Sequence, residues 1–434
     1  MSPFHNGAPD GLPDGAHRPT DVIARYERHL AVGRAALGRL LGGTVEVASE
    51  GAWVTAADGR RYLDFGGYGV FILGHRHPAV TAAVRAQLDT HPLATRVFLE
   101  PVVALAAEAL SGVTPAGLDR VHFVNSGAEA TETALKLARH HGKDVLVSAR
   151  GGFHGKTLGA LSVTANPMYQ DPFRPLLPDV LHVPYGDETA VHEALDRYGE
   201  RVCVVLEPVL GEGGVVIPPD GYLRAVSDAC RAHGALLVVD EIQTGLGRLG
   251  AWWGIEREGV VPDMLLVGKG LSGGVVPVAA VVCRDEVYEP FGRDPFLHSS
   301  TFGGSPLACA AALATVDVLR EQNIPARAHA LGEWLLDRVR DVCAKEYGDL
   351  VGEVRGRGLL IGLEMRHQRA TGELALELLE RGVLVNHSLN AGAVLRLTPP
   401  AVVPDSEAER FLTVLDGALR AVRQRIGPVT RAAA

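Results

Sequence analysis

The stretch ALLVVDEIQTGLGRLGAWW, residues 235–253, decides how this chain is read. An apolar run suited to burial ends on two adjacent carboxylates, Asp240 and Glu241. Burying an unpaired carboxylate is costly, so a strand that ends this way needs a cation facing it. The glycines that follow, Gly245, Gly247 and Gly250, have the G-x-G-x-x-G spacing of a dinucleotide loop. A loop of that kind turns at once from strand into helix, with an acid further on. Asp263 is tolerably placed for the acid, but EIQT separates the strand from Gly245, and AWWGIE has no amphipathic run. The spacing is a fortuitous match by this reading, and a nicotinamide-dependent dehydrogenase is kept only as the rival from another class.

The chain has 434 residues, enough for a large domain and a smaller one. Its 47% hydrophobic and 21% charged residues are those of a soluble globular protein, and a net charge of −9 argues against nucleic acid as the partner. The five cysteines, Cys203, Cys230, Cys283, Cys309 and Cys343, are scattered and odd in number, which reads as reduced thiols in a cytoplasmic protein. Without C-x-x-C or H-E-x-x-H, no metal site is expected. Residues 1–20, rich in Pro, Gly and Asp, read as a disordered lead-in without the apolar core of a signal peptide. No apolar run reaches the roughly 20 residues that span a bilayer, so no membrane role is expected.

Outward from the central stretch, short apolar runs recur at 121–124, 144–148, 202–208, 235–240, 264–268 and 279–283, with helical segments such as 127–142 and 220–234 between them. Strands apolar on both faces and separated by helices predict an α/β architecture with a mostly parallel sheet covered on each side. From about residue 303 a long Ala-rich helix leads out, and strand-like pieces at 359–365, 382–386 and 394–400 suggest a smaller α+β domain. A hairpin pattern before residue 65 joins that domain, giving segments 1–20, 21–65, 66–325 (the large domain) and 326–434.

Open α/β sheets bind ligands at the carboxyl ends of their strands, so the residues there carry the chemistry. Ser126, Gly127 and Ala128 in NSGAEA open a helix, whose free N–H groups suit a phosphate; a plain Ser N-cap is the bland alternative. Asp240 is either a structural ion-pair partner or the neighbour of a protonated ring nitrogen, with Gln243 placed to donate to an oxygen of the same ring. Lys269 follows an apolar strand between glycines; it is either a surface charge or an amine whose depressed pKa makes it a Schiff-base nucleophile. Phe153, beside His154, can stack on a planar cofactor or pack in the core.

Together NSGAEA, FHGKT, EPVLGEGG, VVDEIQTGLGRLG, GKGLSGG, TFGGSPLACAAALAT and LRLTPP stand in the order and approximate spacing of class III pyridoxal-phosphate aminotransferases. The resemblance covers nearly the whole chain after residue 20. PFLHSSTFGGSPLACAAALATVDVLREQNIPA and RPLLPDVLHVPYGD look most like the putrescine branch, near ornithine and acetylornithine aminotransferases. It implies the type I PLP-dependent transferase fold, pyridoxal 5'-phosphate as cofactor, and a homodimer with active sites at the subunit interface. By the same resemblance Lys269 carries the cofactor and shuttles the proton, and Asp240 pairs with the ring nitrogen. Gln243 contacts the ring hydroxyl, Phe153 stacks with His154 beside it, and Ser126, Gly127 and Ala128 hold the phosphate. Thr301 matches a threonine that reaches the phosphate from the other subunit. Arg396 matches an arginine that forks onto the carboxylate of glutamate or 2-oxoglutarate. Glu212 matches its switchable partner, and Tyr68 a residue of the substrate pocket.

Two departures stand out: Leu210 where the family often has Gln, and Ile72 where Asn is frequent. Placed near the mouth of the site, they would favour a longer, more apolar amine or aldehyde. The implied function is transfer of an amino group between a terminal amine (diamine, ω-amino acid or related aldehyde) and a 2-oxo acid such as 2-oxoglutarate or pyruvate, by a ping-pong mechanism. An aminomutase or decarboxylating relative, and a non-catalytic protein that kept the fold, are the remaining alternatives.

Overall fold

The computed structural model describes residues 17–426. The lead-in expected over 1–20 lies outside these apart from its last four residues, and the helix Pro19–His29 already begins within it. At the centre is a seven-stranded sheet in the order Arg120–Val124, Ala279–Cys283, Met264–Val267, Leu236–Asp240, Val202–Leu206, Val145–Ala149, Val180–Val183. The pairs from Met264–Val267 through to Val180–Val183 are all parallel. Ala279–Cys283 runs antiparallel to both neighbours, so one strand opposes the other six. Every residue of Val145–Ala149, Val202–Leu206 and Ala279–Cys283 is buried, which is why these runs are apolar throughout and do not alternate.

Helices cover the sheet. Gly127–His140 is capped by the Ser126 hydroxyl, which accepts from the Glu129 amide at 3.2 Å. At its far end Gly142 adopts φ +73°, and the Lys143 amide reaches back to the Ala138 carbonyl at 2.9 Å, a left-handed helix stop. Tyr222–Ala232 buries Leu223, Val226, Ala229 and Cys230 on one face. Pro306–Glu321, the Ala-rich helix, begins at a Ser305 cap with proline at its first position.

Two further four-stranded sheets lie outside the central one. Glu46–Glu50, Trp53–Ala56 and Arg61–Asp64 form antiparallel pairs, and Val383–Leu384 adds in parallel to the last of them. Segments from both ends of the chain thus share one sheet. Val351–Arg357, Leu360–Met365, Ala391–Leu397 and Asn386–Ser388 make the other, in that order. Its register sets Arg396 opposite Gly362. Among the described residues no helix is long and apolar enough to cross a membrane, and no group of three His, Cys, Asp or Glu side chains could hold a metal ion.

Candidate active site

The two carboxylates that end the strand Leu236–Asp240 part company. Asp240 is 3% exposed; its Oδ2 is 2.7 Å from His154 Nδ1, and its Oδ1 accepts from the Ile242 amide at 3.0 Å. Burial pulls the His154 imidazole down, but Asp240 outweighs it and the net shift is upward. Glu241 turns into the protein, accepting from the Thr244 hydroxyl and, at 3.0 Å, from the Ile255 amide. Burial pushes its pKa up to about 7 against those hydrogen bonds. One carboxylate therefore faces His154, and the other holds the loop that follows.

That loop is no dinucleotide cradle. Residues 241–250 form a series of turns, and no α-helix follows them. A Cβ on Gly245 would lie 2.7 Å from the Trp253 ring, and one on Gly250, at φ +87°, would lie 2.9 Å from His329 Cβ. Close packing accounts for these two glycines.

Lys269 follows the strand Met264–Val267 and opens a short turn with a left-handed φ of +44°. A non-glycine residue there is strained, and such strain persists where the surroundings impose it. Burial pulls the Lys269 pKa down; Glu212, Asp240 and Glu207 pull it up, and Arg396 pushes with the burial. The structure thus brings Lys269, Asp240, Glu212 and Arg396 into one charged neighbourhood. Gln243 joins them: its Oε1 is 3.5 Å from Arg396 Nη1, while its Nε2 is buried without a partner among the described residues. A Cβ on Gly211 would fall 1.4 Å from Gln243 Oε1, so a side chain there would displace the Gln243 amide.

Phe153 is half-buried, its amide donating to Glu207 Oε1 at 3.0 Å. The segment is fastened to the helix that starts at Gly127 by Thr131, whose hydroxyl donates to the His154 carbonyl at 2.8 Å. Ser126, Gly127 and Ala128 stand at that helix's positive end. Arg396 Nη1 pairs with Glu212 Oε1 at 2.6 Å, both side chains being buried. Tyr68 is 57% exposed on a turn at φ +51°. Thr301 is exposed, next to Ser300, whose hydroxyl accepts from Asn125 Nδ2 at 2.8 Å.

Leu210 and Ile72 do not line a mouth. Both are 2% exposed; Leu210 lies in a bridge with Val216, and Ile72 packs beneath Gly270. Their apolar character answers to burial in this chain, and the argument from them for a longer, apolar substrate falls. Glu207 was passed over in the sequence, although it ends the strand Val202–Leu206 as Asp240 ends its own. Burial pushes it up to about 7, with His154 pulling the other way, and it accepts from the Phe153 and Gly211 amides at 3.0 and 3.2 Å. Arg248, inside the glycine run, was likewise missed.

A depressed amine, a buried acid held by a histidine, a Gln243 Nε2 without a partner among the described residues and an anion-favouring helix start fit a pyridoxal phosphate ring and its phosphate. They define a pyridoxal-phosphate transferase. The chain belongs to the class III aminotransferases: the family model described as Aminotransferase class-III matches residues 43–419. Among solved structures, the ornithine aminotransferase from Toxoplasma gondii ME49 is similar at 33% identity and a TM-score of 0.87, over 94% of this chain and 96% of that one. A second structure of the Toxoplasma gondii enzyme, 33% identical with a TM-score of 0.86 over 94% and 96% of the chains, is described as showing partial occupancy of PLP at its active site. A thermostable (S)-enantioselective omega-transaminase from Thermomicrobium roseum is similar at 30% identity and 0.86, over 93% and 98%. The fold is the type I PLP-dependent fold, the protein is an aminotransferase, and its cofactor is pyridoxal phosphate.

Proposed function

We propose that this enzyme moves an amino group between a terminal amine (a diamine, an ω-amino acid or the related aldehyde) and a 2-oxo acid such as 2-oxoglutarate or pyruvate, in ping-pong fashion. The observation that carries the reading is the buried Arg396–Glu212 pair in the charged neighbourhood of Lys269. A guanidinium neutralised by an internal carboxylate accommodates a donor without an α-carboxylate; released from it, the same fork receives the carboxylate of an oxo acid.

When bound, the cofactor supplies an electron sink that acidifies the C–H of the amine-bearing carbon. Lys269 Nζ would anchor the cofactor and would hold the proton taken from that carbon. Its depressed pKa favours the neutral amine that this role needs. Asp240 keeps a negative charge at the ring nitrogen, and His154 with the Ile242 amide fixes its carboxylate. Gln243 Nε2 donates to the ring hydroxyl, Phe153 stacks on the ring, and Ser126, Gly127 and Ala128 hold the phosphate. Thr301 completes the phosphate site from the second subunit of a homodimer, and Tyr68 lines the donor pocket. Five buried cysteines without a disulfide fit a cytoplasmic enzyme.

The test is a panel of donors and acceptors followed spectroscopically in single half-reactions. Bleaching of the visible cofactor band by putrescine, ornithine or another terminal amine, and its return with 2-oxoglutarate or pyruvate, is the expected result. Reaction with α-amines alone, or intersecting initial-velocity lines, overturns it.

A further inference from the structure

Arg248 sits in the middle of the glycine run and is 1% exposed, yet among the described residues no carboxylate lies within ion-pair distance. The nearby acid, Asp64, is already engaged by His75 Nε2 at 2.8 Å and by the Gly66 amide at 2.9 Å, and Arg396 adds a like charge. A buried cation without a counter-ion is expensive, and arginine lacks the escape open to other buried bases, losing the proton. Carbonyls take the place of the counter-ion. Nη1 donates to Pro399 O at 2.6 Å and to Leu359 O at 3.2 Å, and Nη2 reaches Gly69 O at 3.4 Å. The Arg248 carbonyl also accepts from the Leu359 amide at 2.9 Å, so residues 248 and 359 are tied in both directions.

The three carbonyls belong to segments distant in sequence that meet at the substrate side. Gly69 follows Tyr68, and a Cβ on it would come within 3.4 Å of Gln243 Nε2 and 3.9 Å of Lys269 Cδ. Pro399 lies three residues beyond Arg396. Leu359 directly precedes the strand Leu360–Met365, which pairs with the strand carrying Arg396. The Tyr68 turn is pinned to the same region twice more: the Thr398 hydroxyl donates to Gly66 O, and the Thr398 amide donates to Phe65 O at 2.7 Å.

We infer that Arg248 is a positioning residue, a carbonyl clamp that holds the Tyr68–Gly69 turn and the segment after Arg396 in one register. The inference rests on the substrate roles proposed above for Tyr68 and Arg396. A fixed guanidinium serves where lysine cannot, because one ammonium does not span three carbonyls in a planar fork. Through the clamp, the donor wall and the oxo-acid wall of the pocket keep their spacing while substrates of different shape alternate.

The experiment compares the full-length holoenzyme with Arg248→Lys and Arg248→Met. Hydrogen exchange at residues 66–72 and 398–401 is read alongside the half-reaction of 2-oxoglutarate with the aminated enzyme. Both segments should exchange faster in both variants. The 2-oxoglutarate concentration for half-saturation should rise on the order of tenfold or more, while the visible cofactor band and the affinity of the apoenzyme for pyridoxal phosphate stay within about twofold. Unchanged exchange at 66–72, or half-saturation within about twofold of the parent, overturns the clamp. Should the variants fail to melt cooperatively, the parent decides: the Val70 and Ala401 amides must open with one common denaturant dependence, and separate opening sinks the proposal. A parent enzyme inert to 2-oxoglutarate removes the functional reading instead, and the exchange data still judge the clamp.

Discussion

Arg396 Nη1 lies 2.6 Å from Glu212 Oε1, with the two side chains 1% and 7% exposed. Removing one partner of such a pair leaves an uncompensated buried charge. Glu212→Ala should therefore lower stability by about 3–5 kcal/mol if nothing else relaxes, and it should lower the 2-oxoglutarate concentration for half-saturation, because the fork is permanently free. Thermal melts and acceptor titrations check the two halves. A weaker response to 2-oxoglutarate would show that the carboxylate binds elsewhere.

The amine at position 269 has a chemical readout. In the parent enzyme, borohydride should fix the cofactor to Lys269, and peptide mapping should find the label there; Lys269→Ala should bind the cofactor without any such label and lose turnover. A label on another lysine contradicts the assignment.

Asp240→Asn keeps the shape of the strand end and removes its charge. His154 then loses the carboxylate that raises its pKa, and the ring nitrogen loses its anion. Amine half-reactions should slow on the order of a hundredfold or more, with cofactor still bound. His154→Asn should act in the same direction and less strongly, because the Ile242 amide still holds the Asp240 carboxylate. Rapid-mixing spectra separate the two.

Glu241 gives a pH dependence with a definite sign. Its carboxyl is raised from 4.5 to about 7 in the folded protein. Between those values the folded chain binds more protons than the unfolded one, so this group's contribution to stability is greatest below the unfolded pKa and declines as pH rises to the folded pKa. Glu241→Gln removes that titration. The melting temperature of the variant relative to the parent should improve steadily from about pH 5 to about pH 7.5. A difference that stays flat over this interval contradicts the shift.

Thr301 is exposed in the isolated chain, and its proposed role across a subunit interface has a direct test. Thr301→Ala should weaken cofactor retention on the order of tenfold without changing the subunit's own melt before assembly, measured by dialysis against phosphate buffer. Mixed dimers with Lys269→Ala subunits show which subunit suffers.

Most of the central sheet can be read from the sequence because its strands are buried on both faces, and an unbroken apolar run ending in a polar residue is a strong local signal. Val180–Val183 escaped that reading because its first three residues are only half-buried, and His182 interrupts it. The strand Val351–Arg357 is mostly exposed or half-buried and carries two glycines, so nothing local marks it. In the site, Asp240, Lys269 and the helix start at Gly127 stood out because each terminates a recognisable element. Arg248 did not: its worth lies in three carbonyls far away in the chain, and no spacing rule encodes them. Leu210 and Ile72 misled for the related reason that sequence position near a motif does not say which way a side chain faces.

The strand Arg120–Val124, which feeds the helix start at Gly127, is an edge of the central sheet whose neighbour there is Ala279–Cys283. The end of the molecule proposed to hold the phosphate thus waits on a piece of chain made much later. During synthesis, residues 120–140 must remain without their sheet partner until 279–283 have left the ribosome, and long-range pairing of this kind forms late. A nascent chain halted before that point would hold most of the parallel strands and still be unable to accept its vitamin-derived ligand.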